Sequence, residues 1–281
     1  MPRYTRKQRG GGVNKPTPTC QCLNPATGRG CTASAVHGSV FCQEHQGCPM
    51  SPRSGAEPKY EPEKYNSDPA IYKSHNCYSY SMNVVDPKSI AGCRKNNNAD
   101  CRGFFHQPGA LSGQRNALID NAAVDRLSCP VVEKLAMTDV PGMEKSSFYG
   151  KCPQGKSKVY LVVSNGDIKT KDEKNKQTKN GKDYHWYRLD SNGMWSHKDG
   201  SNKVKNFDAL KQQIFNPELA SRDYRWQGSD LNYKHSCGFY CAPRDQPVVL
   251  GQGGALKGAG LSWRDHQRLQ RRTRRIAKRR A

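Results

Sequence analysis

The stretch Asp183-Tyr184-His185-Trp186-Tyr187-Arg188-Leu189-Asp190-Ser191-Asn192-Gly193-Met194-Trp195-Ser196-His197-Lys198 constrains the fold more than any other part of this chain. Two aromatic-rich runs, His185 to Leu189 and Met194 to Lys198, flank Asp-Ser-Asn-Gly. Asn-Gly accepts the positive φ of a tight turn, so the runs read as a β-hairpin. With the turn centred on Ser191-Asn192, position 185 pairs near 198, and His197 lies beside that pairing. Val159-Tyr160-Leu161-Val162-Val163 is a short continuous apolar run, which predicts a buried strand ended by a turn at Ser164-Asn165-Gly166-Asp167.

Helical signals surround these strands. Cys77 to Val85 reads as a short helix ended by Asp86-Pro87. Residues 114–137 place Leu118, Ile119, Ala122, Val124 and Leu127 on one side of a second helix. Asn206 to Phe215 reads as a third. Lys169 to Lys182 holds six lysines and reads as a solvated loop. Residues 230–244, with Cys237-Gly238-Phe239-Tyr240-Cys241, close the domain. The expected architecture is an α+β domain over residues 73–244.

The 281 residues allow one such domain with small modules or tails. Hydrophobic content of 34% is low, so part of the chain is expected outside a packed core. No apolar run reaches the ~18 residues of a membrane span, and no apolar leader occupies the first twenty positions. The expectation is therefore no membrane partner and no secretion.

Net charge is +22 and concentrated at the ends: +5 over residues 1–19, +8 over residues 261–281. The arm at 1–19 reads as disordered. The tail carries Arg264, Arg268, Arg271, Arg272, Arg274, Arg275, Lys278, Arg279 and Arg280. Such ends attract polyanions by releasing phosphate counterions, or direct nuclear import. Gly-rich residues 245–260 read as a linker to the tail. Residues 49–72 carry Pro49, Pro52, Pro58, Pro62 and Pro69, which predicts an extended connector.

Twelve cysteines without a leader argue for metal ligands, a nucleophile or small buried side chains rather than a disulfide framework. The piece 20–48 has the spacing Cys20-x-Cys22-x8-Cys31-x10-Cys42-x2-His45-x2-Cys48. Zinc takes four N/S ligands tetrahedrally, and Cys22, Cys31, Cys42 and His45 are the preferred set, with Cys20 as the alternative first ligand. The ending Phe41-Cys42-Gln43-Glu44-His45 resembles a small CCCH-type zinc motif of phages and large DNA viruses. Its doubled Cys20/Cys22 departs from that motif's single first ligand. Cys93/Cys101 and Cys237/Cys241 read as structural thiols or a second zinc site.

Cys77, in Ser74-His75-Asn76-Cys77-Tyr78-Ser79-Tyr80, stands where a helix begins. A helix terminus and an imidazole both favour a thiolate, and His185 can supply the ring. His197, or Asp190 near the turn, can orient it. The same donors with His75 can instead hold a metal.

The pattern resembles the papain-like thiol hydrolases of the NlpC and CHAP types, in which a cysteine begins a helix and a strand histidine precedes a polar third residue. It is similar also to a group of giant DNA virus proteins that share His75-Asn76-Cys77-Tyr78-Ser79-Tyr80, Gln107-Pro108-Gly109 and Tyr184 to Lys198. The resemblance covers about residues 48–244. It implies a papain-like fold and a thiol peptidase or amidohydrolase using Cys77, His185 and His197. It implies a protein or peptide substrate and a viral setting: host nucleus, cytoplasm or virion. A papain-type Gln upstream of Cys77 is absent, so the backbone N–H of Cys77, with Asn76 or Tyr78, would serve the oxyanion. The competing expectation is a non-enzymatic virion or nucleic-acid-associated protein acting through its zinc knuckle and basic ends.

Overall fold

A computed structural model describes residues 14–114, 127–164, 168–171 and 178–254, with backbone alone at 168–171 and 178–181. The chain is mixed helix and antiparallel sheet. Among the described residues, helices α1 (Glu63–Asn66), α2 (Pro69–Ser74), α3 (Cys77–Ser81), α4 (Pro87–Lys95) and α5 (Cys129–Asp139) accompany eight strands. These are β1 (Glu144–Ser146), β2 (Lys156–Val163), β3 (Ile168–Lys171), β4 (Thr178–Gly181), β5 (Tyr184–Leu189), β6 (Trp195–Lys198), β7 (Val204–Lys205) and β8 (His235–Pro243). Six form one sheet in the order β1-β8-β2-β5-β6-β7, and β3 pairs with β4.

The apolar run at 159–163 is central because both faces of β2 are covered. Val159, Leu161 and Val163 pack with Tyr78, Leu135, Ala136, Trp186 and Tyr240 beneath α3 and α5. Tyr160 and Val162 pack on the other face with Tyr187, Trp195, Ile214, Phe215 and Phe239. Leu23 joins this second core, and Phe41 meets Phe215 edge-on at 4.7 Å, so the cysteine-rich segment packs on the sheet. The Gln21 side chain fixes that docking. Its Nε2 donates to the Gln213 carbonyl, and its Oε1 accepts from the Phe215 and Asn216 N–H groups.

The Pro-rich connector is extended and wraps on the domain. Lys158 donates to Ser51 Oγ and the Phe148 carbonyl, and Ser191 N–H donates to Pro58. Residues 245–254 also pack rather than link. Gly253 N–H donates to Phe105 and Gln107 N–H to Gly251. A Cβ at Gly251 would stand 2.3 Å from the Leu111 nitrogen, so only glycine permits the approach.

Four further expectations need correction. The predicted helix at 206–215 is a set of turns, because the Asp208 carboxylate accepts from the N–H groups of Leu210, Gln212 and Ser221. The lysine-rich loop contains the β3–β4 hairpin. Helix α3 ends at Ser81, short of Val85, where Asn83 turns the chain at φ +59°. Eight cysteines pair as Cys22–Cys48, Cys93–Cys101, Cys129–Cys237 and Cys152–Cys241, against the expectation of free or metal-bound thiols. Half of the second predicted helix, residues 115–126, lies outside the described residues; its second half overlaps α5 over residues 129–137. The basic arm through residue 13 and the tail with its nine cationic residues also lie outside them.

Candidate functional site

Register decides which side chains meet. The observed pairs are Tyr187↔His197, Arg188↔Ser196 and Leu189↔Trp195, one residue from the expected pairing of 185 near 198. That shift puts His185 and His197 on one face, because residues two apart on a strand point the same way. His185 Nε2 lies 2.8 Å from His197 Nδ1. Asp199 follows at the next same-face position. Its Oδ1 is 3.1 Å from His197 Nδ1 and 3.5 Å from His185 Nε2. His197 Nε2 donates to the Phe207 carbonyl at 3.0 Å, and Lys205 Nζ pairs with Asp199 Oδ2.

Strand β6 pairs with β5 only from Tyr187 onward, which leaves the β5 edge at Tyr184–Trp186 free of it. Cys77 occupies that edge, with Sγ 4.0 Å from the Tyr184 carbonyl. Cys77 and His185 both line one cleft of about 260 Å³, with Asn76, Gln107, Asp183, Asp199 and Tyr233. Among the described residues no hydrogen bond joins the thiol to His185. Burial raises the Cys77 thiol above its ordinary value, with Asp183 adding to it. A five-residue helix contributes little of the dipole that would oppose this. Burial also lowers His185, to about 3, so its ring is neutral at pH 7 and burial works against its protonated form.

Asn76 caps α3: its Oδ1 accepts from Ser79 N–H, and Ser79 Oγ accepts from Asn76 N–H. Its Nδ2 donates to the His106 carbonyl, so Asn76 holds the helix start rather than offering a free donor. Lys198, fully buried, donates to the Tyr72, His75 and Gly200 carbonyls and fixes the α2–α3 junction just before Cys77.

Asp190, the alternative orienter, is engaged elsewhere: its Oδ1 accepts from buried Arg188 at 2.9 Å. His75 leaves the expected metal set too. Its Nε2 accepts from Asp86 N–H at 2.8 Å, so its proton is on Nδ1, which donates to the Ile71 carbonyl at 2.9 Å. Burial lowers His75 to about 4; the charges of His106 and Lys198 add to this and Asp86 opposes it. The folded value lies below the ordinary 6.5, so the unfolded chain takes up the proton first as pH falls. Stability from His75 is complete above pH 6.5 and declines towards pH 4, by about 3 kcal/mol. Urea unfolding at pH 7 and pH 4.5 checks this; His75→Gln should flatten the slope.

In the cysteine-rich segment the metal-binding geometry uses Cys20. The donor atoms of Cys20, Cys31, Cys42 and His45 all lie within 4.8 Å of one another. Cys31 and Cys42 sulfurs are 3.8 Å apart, and His45 Nδ1 is 3.7 Å from Cys20 and 3.0 Å from Cys42. A tetrahedron with metal–sulfur bonds of about 2.3 Å has sulfur–sulfur edges near 3.8 Å, so these four can hold a metal. The preferred first ligand, Cys22, is instead bonded to Cys48. Burial pushes the Cys42 thiol up, but hydrogen bonds from His45 and neighbouring groups outweigh it and bring it to about 7.

Sequence reasoning missed Asp199 and Asp183 in the cleft. Asp199 was legible as the residue two beyond His197, one past the end of β6.

No protein-family model matches this chain, and no solved structure matches it. Over 164 residues, 58% of this chain and 81% of the relative, it is 28% identical to insoluble matrix shell protein 1 of Ruditapes philippinarum.

Proposed function

We propose that this protein is a thiol peptidase or amidohydrolase with a papain-like arrangement. The supporting observation is the shared cleft of Cys77 and His185, with His197 hydrogen-bonded behind His185. His197 Nε2–H donates to the Phe207 carbonyl, so His197 Nδ1 accepts from His185 Nε2–H. His185 Nδ1 then carries the lone pair a base requires. Cys77 passes its proton to that nitrogen as sulfur adds to an amide carbonyl. The C–N bond breaks as His185 returns the proton to the amine. Water, deprotonated by His185, then releases the acyl group and restores the thiol.

Zinc is the fitting metal for Cys20, Cys31, Cys42 and His45. Four protein ligands close the tetrahedron, so its role there is structural, as in a zinc knuckle. Four disulfides favour an oxidising setting, such as a particle or matrix, over the nucleus or cytoplasm. Disulfides and the likeness to a shell matrix protein also favour a second reading, a non-enzymatic matrix or virion protein using its knuckle and basic ends. A peptidyl acyloxymethyl ketone separates the two. The hydrolase forms an adduct on Cys77 that Cys77→Ala cannot form; a folded protein without that adduct rejects the enzyme.

A further inference from the structure

We propose that His185, His197 and Asp199 form a second metal site, one that takes a divalent ion of the zinc class from the cleft. Three donor atoms converge there, His185 Nε2, His197 Nδ1 and Asp199 Oδ1, at separations of 2.8, 3.1 and 3.5 Å. Metal–ligand bonds of about 2.0–2.2 Å place adjacent donors roughly 2.9–3.5 Å apart, so the triangle has the size of one face of a coordination shell.

With His197 neutral, proton counting points the same way. The Phe207 carbonyl takes the His197 Nε2–H, so a neutral His197 has only a lone pair at Nδ1. That lone pair faces the Asp199 carboxylate, acceptor against acceptor, at 3.1 Å. His185 can supply one N–H to this group and cannot fill both gaps. A cation at the centre satisfies all three atoms together.

The surroundings are those of a metal site. Ligating histidines commonly donate their other N–H to a carbonyl, and ligating carboxylates are themselves held by a donor. Phe207 and Lys205 fill these two roles. His185 and Asp199 line the cleft, so a further coordination position opens towards it, unlike the closed cysteine set. Two imidazoles and one carboxylate select zinc, cobalt or nickel over calcium or magnesium.

The consequence for catalysis rests on the thiol reading above. A His185 that gives its Nε2 lone pair to a metal carries its one proton on Nδ1 and cannot accept another. Metal occupancy and proton transfer from Cys77 therefore exclude each other.

Zinc stoichiometry by equilibrium dialysis of the full chain tests the site without reference to activity. Wild type should bind two equivalents, Cys42→Ser one, and His197→Gln one. Asp199→Asn, with its fold checked by circular dichroism, should weaken the second equivalent at least tenfold. Cobalt bound to Cys42→Ser should lack the thiolate charge-transfer band. One equivalent in wild type, abolished by Cys42→Ser and untouched by His197→Gln, overturns the proposal. Cys77 labelling unaffected by saturating zinc overturns the consequence, and absent Cys77 labelling overturns the thiol reading while leaving the stoichiometry to stand.

Discussion

Replacing Cys77 by alanine is expected to lower kcat/KM for a cleaved amide by about 10⁴-fold or more, with folding unchanged. No other thiol can substitute: among the described residues the free cysteines besides Cys77 are Cys20, Cys31 and Cys42, all grouped with His45 away from the cleft. His185→Ala should cost nearly as much, because burial holds the Cys77 thiol protonated and only a neighbouring base can relieve it. Combining the two changes should then add little, since nucleophile and base act as one unit. His197→Ala leaves the base in place but frees its tautomer, so a smaller loss, about 10- to 100-fold, is expected in kcat. Steady-state kinetics of the three single variants and the Cys77/His185 double variant check the pattern.

Asp190→Ala should lower the unfolding free energy by about 3–5 kcal/mol. Arg188 lies in the core with Asp190 as its ion-pair partner at 2.9 Å. Its remaining donors reach the Tyr80 and Lys59 carbonyls and Asn83 Oδ1, and its guanidinium stacks 4.0 Å over the Tyr80 ring. Removing the carboxylate leaves a buried cation with neutral partners only. The arginine cannot escape to water, because the connector at Lys59 and helix α3 close over it. The simultaneous change Arg188→Met with Asp190→Ala should recover most of the loss, since a charge no longer has to be buried. Urea unfolding of the single and double variants measures the difference. Asp190 is therefore engaged with Arg188, whereas His197 Nδ1 lies 2.8 Å from His185 Nε2.

The hairpin carried most of what the sequence could reveal. Its Asn-Gly turn and alternating aromatics specify strand identity locally, so β5 and β6 stand within a residue of their expected bounds. Register was legible only to one residue, because turn geometry and not strand composition sets it. That one residue decided that His185 and His197 meet. Residues 206–215 misled because their apolar positions fit a helix while Asp208 draws three N–H groups into turns. Cysteine partners were illegible for a different reason. Cys129 and Cys237 stand 108 residues apart, and only the packing of α5 on β8 brings them together. Spacing made Cys22 the preferred first ligand; its bond to Cys48 leaves Cys20 grouped with Cys31, Cys42 and His45.

The alkylation rate of Cys77 by iodoacetamide, read by peptide mass on the metal-free folded chain, tests most directly whether sulfur and imidazole cooperate. Wild type should react at least tenfold faster than His185→Ala at pH 7. Equal rates in the two proteins would mean that His185 never takes the thiol proton, and the catalytic account would fail.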